Sequence, residues 1–492
     1  MGFKGTAGET IIEEVLLYQP KNDAETTSNS TGAVFDLKTM VVEINLYEDV
    51  FSPTMYGDIV ITDAINAIEK FPIYGTEIIT LKLRTAQLEN EWGNLIYKSF
   101  QLYKVSNMIL NGDREAIYKL CFTSLETYRD KTTYLTNRFS GDTATLAKRI
   151  YDDHIEKIDN DNSTRLKRIE ALNRGTNNST PLYVGDMDNN SKHGNTITYI
   201  SNYWTPFQNL NYIAKNTVGN SLNSPSFLFY ESNKGFYFTS LEWNVDRRES
   251  FDEYNFLPES MKDIPRRNLS DNYTGNLLPE TYTKINDMKV ASRIDILKYY
   301  NSGALANSVM SYEFSTKKIR EFTFDLMKNW DDYKHTGGGI PIPYNTAPNP
   351  FSRRVWKATD LNRFGDISAD DVVPSSGNMF ETNPSTDAYT STNVNKLSRS
   401  GQRLGYLTGF DQFTFEVTVP GRTDIEVGAC IDILYPSVGE KLTDAAGDIY
   451  DEMLSGRYLI SSIHHRINYD DHVMYMEVVK NGINESLGTE ST

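Results

Sequence analysis

The chain has 492 residues, 39% of them hydrophobic, and a formal charge of −17 from 49 basic and 66 acidic side chains. That length predicts two to four compact units, and the acidic balance opposes stable adhesion to nucleic-acid phosphates or anionic lipid. Cys121 and Cys430 are too few for a disulfide framework and lie in no metal-binding spacing.

Near the amino terminus Glu13 and Glu14 interrupt the apolar run Ile11, Ile12, Val15, so no signal core is expected. Without any run of about 18 apolar residues, no membrane insertion is expected either. The sequons at Asn29, Asn162 and Asn178 therefore carry little weight. From Val34 to Leu125, short alternating runs predict strands over Met40–Tyr47, Gly57–Thr62, Glu77–Arg84, Phe100–Met108 and Ala116–Phe122. Asn111-Gly112-Asp113 supplies a hairpin turn between the last two. These make a first β-barrel, residues 1–127.

Helical spacing of Leu146, Ala147, Ile150, Tyr151 and His154 after Ser140 and Asp142 opens an α+β unit at 128–284. Residues 156–200 are rich in Asn, Asp, Ser and Thr and predict a surface loop. Thr205 then caps a helix with Pro206 at its first position, a stripe of Phe207, Leu210, Ile213 and Ala214, and a stop at Gly219. A hairpin follows over Phe227–Glu231 and Phe236–Leu241. Residues 285–333 predict a helix through Ile294, Leu297 and Lys298, ended by Gly303, and a hairpin over Val309–Phe314 and Ile319–Leu326.

The stretch 334–395 is dense in Gly and Pro and predicts a long loop insertion without its own core. Phe351 and Trp356 within it are candidate partner-docking anchors. A second barrel is expected over 396–482, with Leu397, Leu404 and Leu407 on a short helix. Its strands are Phe413–Val419, Ala429–Leu434, Arg457–Ile467 and His472–Val479, and residues 483–492 form a flexible tail. The fold class is α+β, mainly antiparallel β.

The two barrel stretches share signatures. Gly75, Ile78, Leu81 is repeated as Gly428, Ile431, Leu434, where glycine allows a backbone conformation at a strand entrance that a side chain blocks. An ungapped hairpin match sets Leu102 against Leu459, Leu110 against Ile467 and Tyr118 against Tyr475. Two related barrels should superimpose in that register; different strand orders, or pairing of both stretches within one sheet, would make the duplication an accident of hairpin composition.

No GxxxxGK[ST], HExxH or GxSxG string occurs, and Gly2, Gly5 and Gly8 lack the lysine and preceding strand of a phosphate loop, which leaves a terminal arm. His464, His465 and His472 lack metal-ligand spacing, and neighbours on a strand point to opposite faces. Asp360–Asp371 matches a calcium loop in register, but Phe364 stands where a ligand is needed, so an ordinary turn is the simpler reading. Acidic pairs such as Asp331-Asp332 and Asp470-Asp471 are inevitable among 66 carboxylates. No catalytic residue, metal ligand or cofactor is assigned.

Ser400-Gly401-Gln402-Arg403-Leu404 through Thr418-Val419-Pro420-Gly421 to Val427-Gly428, and Asp63-Ala64-Ile65-Asn66-Ala67 to Ile73-Tyr74-Gly75, resemble the baseplate central hub protein of T-even-like contractile-tailed phages. The Thr205–Gly219 helix and its hairpin also fall where that family has them. The resemblance covers most of the chain and rests on scaffold patterns. It implies a homotrimer whose two tube-type barrels per chain make a ring of six, joining a sixfold tail tube protein to a threefold central spike protein. It further implies baseplate wedge proteins as neighbours, DNA passing without specific binding, and a place in the virion tail after assembly in the host cytoplasm. The 334–395 segment is longer than the equivalent connection in that family. A glycan-binding tail or surface module is the alternative, and a glycoside hydrolase the third reading.

Overall fold

Alternating apolar and polar residues turn most of this chain into antiparallel sheet. The computed structural model describes residues 8–19, 34–86, 88, 94–111, 115–156, 180–185, 196–219, 224–247, 250–256, 280–313, 318–339, 354–359, 380–382, 392–436, 451, 453–469 and 471–483. The first strands are β1 (Thr10–Tyr18), β2 (Val34–Asp36), β3 (Val41–Asp49), β4 (Tyr56–Asp63), β5 (Ile78–Thr85), β6 (Leu95–Asn111) and β7 (Glu115–Ser124). They lie in the order β2-β1-β5-β6-β7-β4-β3. Val15, Ile44, Ile59, Leu81, Leu102 and Leu120 fill the core beneath.

Strand β1 is not among the strands the sequence predicts. Glu13 is accommodated in it because its carboxylate meets Lys82 at 2.8 Å and Arg84 at 3.1 Å on the neighbouring strand, while Val15 and Leu17 point into the core.

The middle unit holds β8 (Arg138–Asp142), β9 (Leu182–Val184), β10 (Thr196–Ile200), β11 (Phe227–Glu231) and β12 (Phe236–Ser240). Asp142 caps the helix Thr143–Ile150 by accepting from the Thr145 N–H at 3.0 Å. Thr205 and Gln208 form a reciprocal capping box at the head of Pro206–Asn216. That helix ends at Asn216, before Gly219. Its Phe207, Leu210 and Ile213 pack against Phe229 and Phe236 of the hairpin.

Further along come β13 (Ser250–Asn255), β14 (Asp287–Arg293), β15 (Ala306–Glu313), β16 (Lys318–Asp325), β17 (Arg354–Thr359), β18 (Phe380–Thr382), β19 (Phe413–Pro420), β20 (Cys430–Leu434), β21 (Gly456–Asn468) and β22 (His472–Lys480). Six of them order as β13-β20-β21-β22-β19-β14, and β21 then pairs with β3 from Ser462↔Asp49 to Asn468↔Glu43. Thirteen strands among the described residues thus form one sheet, antiparallel throughout except for β13 on β20. Two separate barrels were expected; instead the halves join edge to edge, and no strand path closes on itself among the described residues.

The 334–395 segment is more than a loop. Its β17 pairs with β15 and its β18 with β16, extending the hairpin to a sheet of order β17-β15-β16-β18. Trp356 sits in β17 opposite Met310. Phe351 and the Asp360–Asp371 turn lie outside the described residues. The expected short helix runs the full length of Thr392–Thr408.

Lys98 on β6 and Glu231 on β11 form a buried ion pair between the first half and the middle unit. Lys98 also donates to the Ser232 carbonyl at 2.9 Å, and Glu231 accepts from the Met55 N–H at 2.8 Å and from the Ser124 hydroxyl. Burial pushes the Glu231 carboxyl up, against the pull of the Lys98 charge. Lys98→Met leaves that carboxylate buried without its counter-charge and is expected to lose about 3–5 kcal/mol in chemical denaturation. Adding Glu231→Leu should recover most of the loss; an unchanged Lys98→Met midpoint would refute the role.

Candidate assembly interface

The pairing of β21 with β3 builds the seam from alternating residues. Tyr47, Asn45 and Glu43 take one face with His464 and Arg466, while Ile44, Leu46 and Glu48 take the other with Ile467, His465 and Ile463.

On the outer face four rings cross the seam in one row. Tyr56 stacks on Tyr47 at 5.0 Å, Tyr47 on His464 at 4.4 Å and His464 on Tyr475 at 5.4 Å, each between directly opposed residues. His464 Nε2 lies 2.9 Å from Asn45 Oδ1, and Arg466 meets Glu43 at 2.8 Å. Burial first, then the neighbouring His465, lowers the His464 pKa.

Under the sheet a polar chain crosses between the two apolar cores. Thr10 Oγ1 lies 2.7 Å from His472 Nδ1, His472 Nε2 3.1 Å from His465 Nδ1, and His465 Nε2 3.6 Å from Glu48 Oε1. His465, His472 and Glu48 are buried. Desolvation, reinforced by His465, drives the His472 pKa well below the ordinary imidazole value, so the ring is neutral. The chain fixes register between the halves. Among the described residues no group of three or more His, Cys, Asp or Glu side chains is placed to hold a metal ion. Asp331 and Asp332 lie in a single 3₁₀ turn, Trp330–Asp332, and Asp470 lies outside the described residues.

The halves repeat one order. β3-β4-β7-β6-β5-β1 in the first corresponds to β14-β19-β22-β21-β20-β13 in the second. Leu102 opposes Phe122 and Val105 opposes Leu120, as Ile460 opposes Val478 and Ile463 opposes Met476. These pairs fill the two cores. The residue match expected from the sequence is out by one position at Leu102 and Tyr118, and holds for Leu110 with Ile467, where a second bulge in β6 restores the register; Tyr118 is 1% exposed, whereas Tyr475 is 39% exposed on the outer face. Leu102 corresponds to Ile460, not Leu459, because a one-residue slide reverses every face. Ile79 and Leu81 likewise correspond to Ile431 and Ile433. Ile78 and Leu434 lie off the two main cores. Gly75 and Gly428 both take left-handed backbone, at φ 87° and 75°. The halves share one sheet, the outcome that removes the sequence case for a duplicated barrel; what repeats is the strand order, with β13 parallel to β20 where β1 is antiparallel to β5.

Sequence reasoning missed β1, β2, β8, β13, β14, β17 and β18, and also β9 and β10, which fall in the 156–200 stretch expected as a surface loop; Thr10 of the polar chain lies on β1, and Glu48 one residue past the predicted end of β3.

No family model matches this chain, and no curated protein matches it. Among solved structures it is similar to the tail protein from Neisseria meningitidis MC58, over 96% of this chain and 99% of that one, at 9% identity and a TM-score of 0.49. It is similar to the 43 kDa tail protein of prophage MuSo2 from Shewanella oneidensis over 95% and 98%, at 11% identity and 0.46. A component of the type VI secretion system from E. coli is similar over 90% and 74%, at 8% identity and 0.36.

The pH dependence of stability follows from two imidazoles that folding desolvates, His472 fully and His335 in large part. His335, stacked on Trp330 at 3.6 Å, is lowered by burial to about 4, and His472 is lowered as above. Unfolding frees both to bind protons below their ordinary value of about 6.5, so stability is full above that pH and falls beneath it. Each contributes up to about 1.4 kcal/mol per pH unit, ending for His335 near its folded value of about 4. Denaturation midpoints between pH 7 and pH 5 should fall less steeply in His472→Gln and in His335→Gln than in the parent. Equal slopes would defeat this account.

Proposed function

We propose that this chain is the structural hub of a phage tail baseplate, a homotrimer forming a pseudo-sixfold ring that joins a sixfold tail tube to a threefold central spike. The observation that carries this reading is the strand order repeated within one chain. Two similar units per chain let three copies present six similar faces, which is the geometric need of an adaptor between sixfold and threefold partners. The sequence resemblance to the hub family supports it independently.

In this reading the ring lines the DNA ejection channel. The formal charge of −17 suits a wall that lets DNA slide, since a basic bore retards it. Phe351 and Trp356 would dock a neighbouring baseplate protein, and wedge proteins would surround the ring.

Light scattering on the protein alone and mixed with tube and spike proteins should give a trimer. Tails assembled without it should lack the joint between tube and spike. A monomer in every mixture, together with complete tails in its absence, would sink the proposal.

A further inference from the structure

Strand β21 is paired along nearly its whole outer side. Gly456–Leu459 pairs with β20, and Ser462–Asn468 with β3. Its counterpart β6 pairs with β5 only over Leu95–Gln101, and beyond that its second edge, from Tyr103 to Asn111, is bare among the described residues. Strand β3 is flanked on both sides, by β4 and β21, whereas its counterpart β14 is flanked by β19 alone among the described residues. The chain therefore carries one filled seam and the two unfilled sides of another.

Side chains follow the backbone. Ile467 on β21 is fully buried and belongs to the first half's core, across the seam. Its counterpart Leu110 on β6 is 74% exposed, beside exposed Ile109 and Met108. Leu46 on β3 is fully buried, while its counterpart Val290 on β14 is 39% exposed. Exposed apolar residues on a bare edge invite another strand.

We propose that the bare edge of β14 in one copy pairs antiparallel with the bare segment of β6 in a second copy, repeating the seam between β3 and β21. Carrying that register over sets Asn111 of one copy opposite Asp287 of the other, Leu110 opposite Met288 and Ile109 opposite Lys289. Leu110 then enters the second half's core of the neighbouring copy, as Ile467 enters the first half's core within one chain. An extra bulge between Ser106 and Ile109, with Asn107 at φ 53°, shapes the β6 segment where β21 is regular. The pairing is head to tail, so it closes a ring when the rotation per step divides a full turn. The inference rests on the hub reading for its number of copies, not for its contact.

The test uses the full chain with Asn111→Cys and Asp287→Cys together. Opposed antiparallel residues are within disulfide reach. Oxidation is expected to yield covalent multimers on non-reducing gels, with neither single variant giving more than dimers. Leu110→Glu, at an exposed side chain, should weaken association by at least about tenfold in sedimentation with unchanged circular dichroism. If the parent forms trimers while the double variant fails to link and Leu110→Glu associates normally, this edge pairing is wrong and the hub reading survives. If the parent stays monomeric with tube and spike proteins present and nothing links, both fall.

Discussion

The register of one strand governs the rest of the molecule. β21 is 13 residues long and serves both halves, pairing β20 with its beginning and β3 with its end while β22 runs along its other side. Because faces alternate with period two, a slip of one residue would bring His464 and Arg466 into the core and expel His465 and Ile467. The buried chain from Thr10 to Glu48 opposes such a slip. Each polar group in it left without a mate costs about 1–3 kcal/mol, more than the surface pair of Arg466 with Glu43 returns.

Much of the fold was legible because its physics is local. Strands with one buried face alternate, and their turns carry Asn, Asp or Gly, so β3 to β7 and β19 to β22 stand out within a few residues. The Thr205 helix was legible for the same reason, since its cap and its Pro206 are sequence features. β14 was not legible: only Met288 of Asp287–Arg293 packs against the core, and an edge strand has no second neighbour to impose alternation. β1 was hidden by Glu13, whose charge is satisfied by Lys82 and Arg84 from a strand distant in sequence.

The candidate interface was legible in outline and misplaced in detail. Matching Tyr118 with Tyr475 maximised residue identity, yet identity is blind to which face a residue occupies. Bulges decide that. β6 bulges between Leu102 and Lys104, and β21 between Ile460 and Ser462, one step apart in the identity alignment but aligned once faces are matched. The polar chain was out of reach because Thr10, Glu48, His465 and His472 come from four strands, and their meeting depends on tertiary pairing alone.

The middle unit explains why the filled seam is firm. Its hairpin reaches both halves: Glu231 holds Lys98 and the Met55 N–H of the first, and two residues on, Asn233 donates to the Thr423 and Ile425 carbonyls of the second at 3.3 and 3.0 Å. Ser232 and Tyr237 also donate to Glu426 at 2.6 and 3.0 Å. These contacts are buried, so opening the seam would strip several charged and polar groups of their partners at once. A seam between copies, built from the edges of β14 and β6, would have the same strand pairing without β11 and β12 of its own chain to brace it. On the proposed pairing, the angle between halves is set during folding, whereas the angle between copies would be set by ring closure. The weaker contact would then be the one through which such a ring assembles and adapts to its neighbours.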